Sequence, residues 1–141
     1  MAEIERVRSE MMEMSNAMVR LHKEQFGRGP TKARSDFAGP NAVLCVLEDA
    51  LLPAEQKLIA LNDENRVRDG RISFQVATEP EFIASAEKIL LRKVRSFASA
   101  VDVKTAMVFE VFVLEPQEGD GAVPPLSDWP SEQPALDGRK S

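Results

Sequence analysis

An α+β domain is what this chain predicts: two αββ-like halves forming a four-stranded antiparallel sheet packed with helices, followed by a disordered tail. Three observations carry that expectation. A long amphipathic helix opens the chain, two pairs of strand-length apolar runs follow at a distance from each other, and helix signals fill the interval between the pairs. A chain of 141 residues, 43% of them apolar, is enough for one packed core. The domain is expected to span residues 1–115 and the tail residues 116–141.

Ile4, Val7, Met11, Met14, Met18 and Leu21 are spaced 3, 4, 3, 4, 3, which places them on one helix face with Glu and Arg opposite. Gly27 suits the left-handed residue that ends a helix, and Pro30 follows because it cannot continue one. The same spacing is a heptad seam. Packing of this helix on its own sheet is the favoured reading, and pairing with a second subunit's helix is the alternative.

Residues 31–37 alternate weakly, Ala38-Gly39-Pro40-Asn41 signals a turn, and residues 42–47 are continuously apolar, so the segment reads as a β-hairpin. Pro53-Ala54-Glu55 suits a helix start, with that helix ending near Leu61. Asn62 and Asp63 offer caps for the next helix, whose apolar positions are expected at Val67, Ile72, Phe74 and Val76. Pro80 predicts a kink or short break near residues 78–80, before a second helix carrying Phe82, Ile83, Ala86, Ile89 and Leu90 to about Lys93. Residues 94–101 and 106–114 form the second hairpin.

Arg34-Ser35-Asp36-Phe37-Ala38 and Val46-Leu47-Glu48 in the first half are echoed by Arg95-Ser96-Phe97-Ala98 and Val113-Leu114-Glu115 in the second. The intervals differ, and both duplication and chance similarity stay open. In the last strand Met107, Phe109, Val111 and Val113 point one way, and Val108, Phe112 and Leu114 the other. A sheet with one wet face alternates apolar and polar residues, so both faces are expected to be covered. Helices would cover one. The middle helix or a second subunit would cover the other, which makes a homodimer the expected state.

The formal net charge is −5, which argues against nucleic-acid binding by the protein as a whole. Much of that charge lies from Glu115 onward, where six acids face Arg139 and Lys140, so the folded part is nearly neutral. Five prolines fall in the same tail among Gly, Ser, Asp and Glu. Trp129, in Leu126-Ser127-Asp128-Trp129-Pro130, serves there as a docking motif or folds back on the domain. No apolar run approaches the roughly 20 residues a bilayer requires, and the charged N-terminus lacks a signal-peptide pattern. A cytoplasmic protein without direct membrane insertion is expected.

Catalytic and metal chemistry have little to stand on. Cys45 is the sole cysteine and sits in an apolar run, so it reads as core rather than as a reactive thiol. His22 is the sole histidine and reads as a helix-surface residue. No nucleophile stands at recognisable spacing from a base, and no phosphate-cradling loop opens a helix. The expectation is a protein that is not an enzyme and has no cofactor and no metal.

The densest positive charge surrounds Phe26-Gly27-Arg28-Gly29-Pro30-Thr31-Lys32-Ala33-Arg34. Lys23, Arg28, Lys32 and Arg34, with Arg71 from the later helix, are the candidate anion- or partner-binding residues. Gly27, Gly29 and Pro30 are the structural turn. Arginine grips phosphate or carboxylate through paired hydrogen bonds. Cations at a helix C-terminus are also favoured by the helix dipole without any ligand.

The segment Arg20-Leu21-His22-Lys23-Glu24-Gln25-Phe26-Gly27-Arg28-Gly29-Pro30-Thr31-Lys32-Ala33-Arg34 resembles the MpsC-like family. So do Leu51-Leu52-Pro53-Ala54-Glu55, Arg71 with Phe74, and Val111-Phe112-Val113-Leu114-Glu115-Pro116. That family consists of small bacterial proteins named for a sodium-translocating, membrane-potential-generating system. Two positions depart from it: Leu52 stands where the family favours threonine, and Leu91-Arg92-Lys93 where it favours glycine-arginine-lysine. The resemblance implies a cytoplasmic accessory protein associated with an ion-translocating membrane complex. The residues themselves leave two functions open: a homodimeric interaction module that binds a membrane complex or another protein through its basic turn, its tail or both, or a sensor binding a small anion or nucleotide at the basic turn, with a pocket between helix and sheet rimmed by Arg28, Arg34 and Arg71.

Overall fold

The computed structural model describes residues 1–117, so the tail from residue 118, with Trp129, lies outside the described residues. The element order is α1 (Ala2–Phe26), β1 (Lys32–Phe37), β2 (Ala42–Glu48), α2 (Pro53–Ala60), α3 (Glu64–Leu90), β3 (Val94–Asp102) and β4 (Met107–Leu114). The four strands form one antiparallel sheet in the order β1-β2-β4-β3. Each hairpin therefore contributes one central and one edge strand. The α+β class and the pairing of two αββ halves are as the sequence predicts.

α1 lies on its own sheet, and Met11, Met14, Ala17, Met18 and Leu21 are buried on its inward face. It ends at Gly27, whose φ of 81° is left-handed and whose N–H donates to the Lys23 carbonyl. Gly29 is needed for another reason: a Cβ there would sit 2.9 Å from the Val19 carbonyl oxygen. The chain thus leaves α1 by running close along its backbone.

α3 is continuous where the sequence predicts a break. It runs from Glu64 through Pro80 to Leu90. Pro80 is exposed, as is Val76, the residue whose carbonyl loses its helical donor, so the missing hydrogen bond falls on the solvent side of the helix, where the loss is least costly. The expected apolar positions also shift. Val67 is buried, but Ile72, Phe74 and Val76 are exposed by 59%, 46% and 70%. The inward stripe is Val67, Arg71, Thr78, Phe82, Ala86 and Leu90, so two polar residues hold places an apolar count assigns to solvent.

Two cores result. The larger joins α1 and α3 to Val43, Cys45, Leu47, Val108, Phe112 and Leu114 on one face of the sheet. The smaller gathers Leu51, Val67 and Val103 beneath α2. Leu44, Val46, Met107, Phe109, Val111 and Val113 point to the opposite face and are half-buried. α2 packs on α3 rather than on that face, so no helix of the described residues covers it.

Candidate functional site

A polar row crosses the helix-covered face of the sheet. The register places Ser35 opposite Cys45, Cys45 opposite Glu110, and Glu110 opposite Ser99. At one end Ser15 of α1 and Ser35 share a hydrogen bond of 2.8 Å, and the Ser35 hydroxyl donates to the Cys45 sulfur at 3.2 Å. At the other end Ser99 donates to Glu110 Oε1 at 2.6 Å. Burial pushes the Cys45 thiol up to about 11, which the Ser35 bond partly opposes and the nearby Glu110 carboxylate adds to.

His22 completes the row from above. It is buried, with 3% exposure, not on the helix surface as its sequence setting suggests. The turn that carries it faces the sheet, and its Nε2 lies 3.5 Å from Glu110 Oε1 without making a hydrogen bond. Phe26 and Phe82 flank the imidazole at ring-centroid distances of 5.6 and 5.7 Å. An unpartnered buried donor or acceptor costs about 1–3 kcal/mol. The sequence does carry a signal for Glu110, namely a single carboxylate inside the otherwise apolar β4, at a position whose alternation points into the core.

Beside this pair α3 and β3 stand apart enough to leave a cavity of about 200 Å³. Phe26, Phe74, Phe82 and Phe97 form much of its wall, while His22, Ser99 and Glu110 supply polar groups. Exposed Ile72 and Phe74 mark where it meets solvent. Arg71 lines it too, but its guanidinium is committed. Its Nε donates to Glu55 Oε2 at 2.8 Å, and one terminal nitrogen donates to Glu55 Oε1 at 2.6 Å and to the Ala50 carbonyl at 2.8 Å. The guanidinium carbon also sits 4.0 Å from the centre of the Phe26 ring.

Arg28 grips the same loop from the other side. It donates to the Asp49 carbonyl at 2.9 Å, the Leu51 carbonyl at 3.1 Å and the Asp49 carboxylate at 2.7 Å. The two arginines thus clamp the connection between β2 and α2. Asp49 adopts a left-handed φ of 54° there. Glu55, held by Arg71, accepts the Leu52 N–H at 2.8 Å, which is one half of a capping box. Leu52 has no side-chain oxygen to supply the other half.

The remaining candidates stand elsewhere. Lys23 is exposed in the last turn of α1, and Lys32 and Arg34 are exposed on β1, with Arg34 3.5 Å from Asp36. Arg34 and Lys32 share the helix-free face of the sheet with Val46 and Glu48. Gly27 and Gly29 form the turn, and Pro30 is buried within it. Of the proposed pocket rim, only Arg71 reaches the cavity. Among the described residues no group of three His, Cys, Asp or Glu is placed to hold a metal, and no helix is long and apolar enough to cross a membrane.

Comparison with known proteins adds one finding. The family model described as Na+-translocating membrane potential-generating system (MpsC) matches residues 5–116. Neither the curated proteins nor the solved structures yield a match.

Proposed function

This chain belongs to the MpsC family, and from that premise we propose that it is a non-catalytic cytoplasmic accessory protein associated with an ion-translocating membrane complex. We further propose that it works as a homodimer joined through the helix-free face of its sheet. The observation that carries the dimer is that face itself. Leu44, Val46, Phe109, Val111 and Val113 occupy its two central strands without a covering helix. Contiguous apolar surface of this kind marks an interaction site.

The layout of the face favours a second copy as its occupant. Across the rows Arg34 is in register with Val46, Phe109 and Ala100, and Asp36 with Leu44, Val111 and Ala98. One edge is therefore long and charged, the centre bulky, and the other edge small. A two-fold axis parallel to the strands, between β2 and β4, lays β1 of one copy over β3 of the other. Arg34 and Asp36 then extend over Ala100 and Ala98, while Lys32 approaches Asp102, which stands at the same end of the sheet on the opposite edge.

Light scattering on the full chain at tens of micromolar should give a dimer, and Val111→Arg should give a folded monomer. Lys32→Asp and Asp102→Lys should each weaken the dimer, and the double exchange should restore it. A monomeric wild-type protein rejects the dimer. Affinity purification of the full chain from its own membranes in mild detergent tests the accessory role, which is rejected if no ion-translocating complex is recovered. Anion binding at the basic turn has less support, because Arg28 already holds Asp49 and two backbone carbonyls.

A further inference from the structure

The geometry points to a ligand site in the cavity between α3 and β3, and its ligand is a small amino-substituted heteroaromatic ring of nucleobase size. Three independent features converge on that class. The volume, about 200 Å³, modestly exceeds the ~150 Å³ of an engineered apolar cavity that holds benzene, so one or two fused rings fit. Phe26, Phe74, Phe82 and Phe97 supply flat apolar walls, and a planar ring gains most from such surfaces.

The polar floor then selects among planar molecules. Glu110 is 2% exposed and accepts one hydrogen bond, from Ser99, which leaves acceptor capacity on its carboxylate. His22 Nε2 is buried and unpartnered 3.5 Å away. In the tautomer protonated on Nε2 the two groups present an acceptor and a donor side by side. The amino group and adjacent ring nitrogen of an aminopyrimidine or adenine present the complementary donor and acceptor. Such a ring satisfies His22 and adds a donor to Glu110 at once, whereas a plain hydrocarbon leaves both as they are. A site built on hydrogen bonding discriminates strongly against analogues that lack the group.

The site lies on the helix-covered face of the sheet, opposite the face assigned to the dimer, so the two readings stand or fall separately. Arg68, at the same cavity, has a partly exposed side chain paired with Glu64 at 3.4 Å. A phosphate attached to the ring would meet it.

Calorimetric titration of the full chain with adenine, 2-aminopyrimidine, adenosine monophosphate and toluene tests the proposal. The expected result is binding of at least one amino heterocycle at one per chain, with toluene bound about ten-fold more weakly or worse. Glu110→Gln, nearly isosteric, should lose a comparable factor. Ile72→Trp, at an exposed position beside the cavity, should block entry without changing the floor, and it carries the test should Glu110→Gln fail to fold. Tighter binding of the monophosphate that disappears in Arg68→Gln would extend the site to the phosphate. The proposal is overturned if no amino heterocycle binds at millimolar concentration. Toluene binding as tightly as the heterocycles, or affinities unchanged in Ile72→Trp, would overturn it as well.

Discussion

Replacing Arg71 by methionine isolates what the buried arginine does for the fold. Methionine keeps an aliphatic stem against Phe26, so the loss is confined to the guanidinium. That group makes two hydrogen bonds to Glu55 and one to the Ala50 carbonyl, and lies 4.0 Å from the Phe26 ring centre. The side chains of Arg71 and Glu55 are 8% and 15% exposed, so the pair is shielded from water and salt. Removing one partner of such a pair costs about 3–5 kcal/mol, because the other charge stays behind in a poorly solvated place. Glu55 sits on the surface helix α2 and rehydrates in part, which puts Arg71→Met near the lower end, about 3 kcal/mol. Urea unfolding of the full chain measures it. Glu55→Gln in the Arg71→Met background should recover part of the loss, and the double-mutant cycle should show coupling of about 2 kcal/mol. A cost below about 1 kcal/mol, or additive single effects, would show that the clamp on the loop is not energetically important.

Four further outcomes are expected. Leu91 ends α3 in the left-handed region at φ 55° while 83% exposed, so Leu91→Gly should stabilise by about 0.5–1 kcal/mol after its own unfolded-state entropy, and Leu91→Ala should not. Gly29→Ala drives a Cβ to 2.9 Å from the Val19 carbonyl and should cost about 1–3 kcal/mol. Gly70→Ala, with nothing within 4 Å of the new Cβ, should instead gain about 0.5–1 kcal/mol; thermal unfolding of the two variants compares them. The Cys45 proton is held up to about 11 in the fold against 9.0 ordinarily, so between those pH values unfolding releases it. Stability should therefore fall with rising pH there by at most about 1.4 kcal/mol per unit, an increment that Cys45→Ala removes.

Leu52 and Leu91 both fall where the structure gives the residue type a consequence. At Leu52 the helix keeps the Glu55 half of its capping box and lacks the hydroxyl half that threonine supplies. At Leu91 a glycine meets the left-handed cap without a Cβ. These are local geometries, and local sequence rules reach them. The basic turn is different. Its glycines and proline are legible as a helix stop, but the partners of Arg28 are Asp49 and Leu51, some twenty residues away, and no spacing rule connects them.

The sequence by itself determined the elements and their class, because hydrophobic period and turn chemistry act over a few residues. It indicated the long first helix and its glycine stop, both hairpins and the apolar double face of β4. The tertiary structure alone decided which chemistry is buried together. His22 belongs to α1, Ser99 to β3 and Glu110 to β4, and only the strand order β1-β2-β4-β3 and the seat of α1 on that sheet bring them to one cavity. It likewise decided that α3 runs unbroken through Pro80, since the proline faces water while the opposite side of the helix is held by packing. Contacts between residues far apart in sequence are set by burial of whole faces against one another, and that term has no local signature.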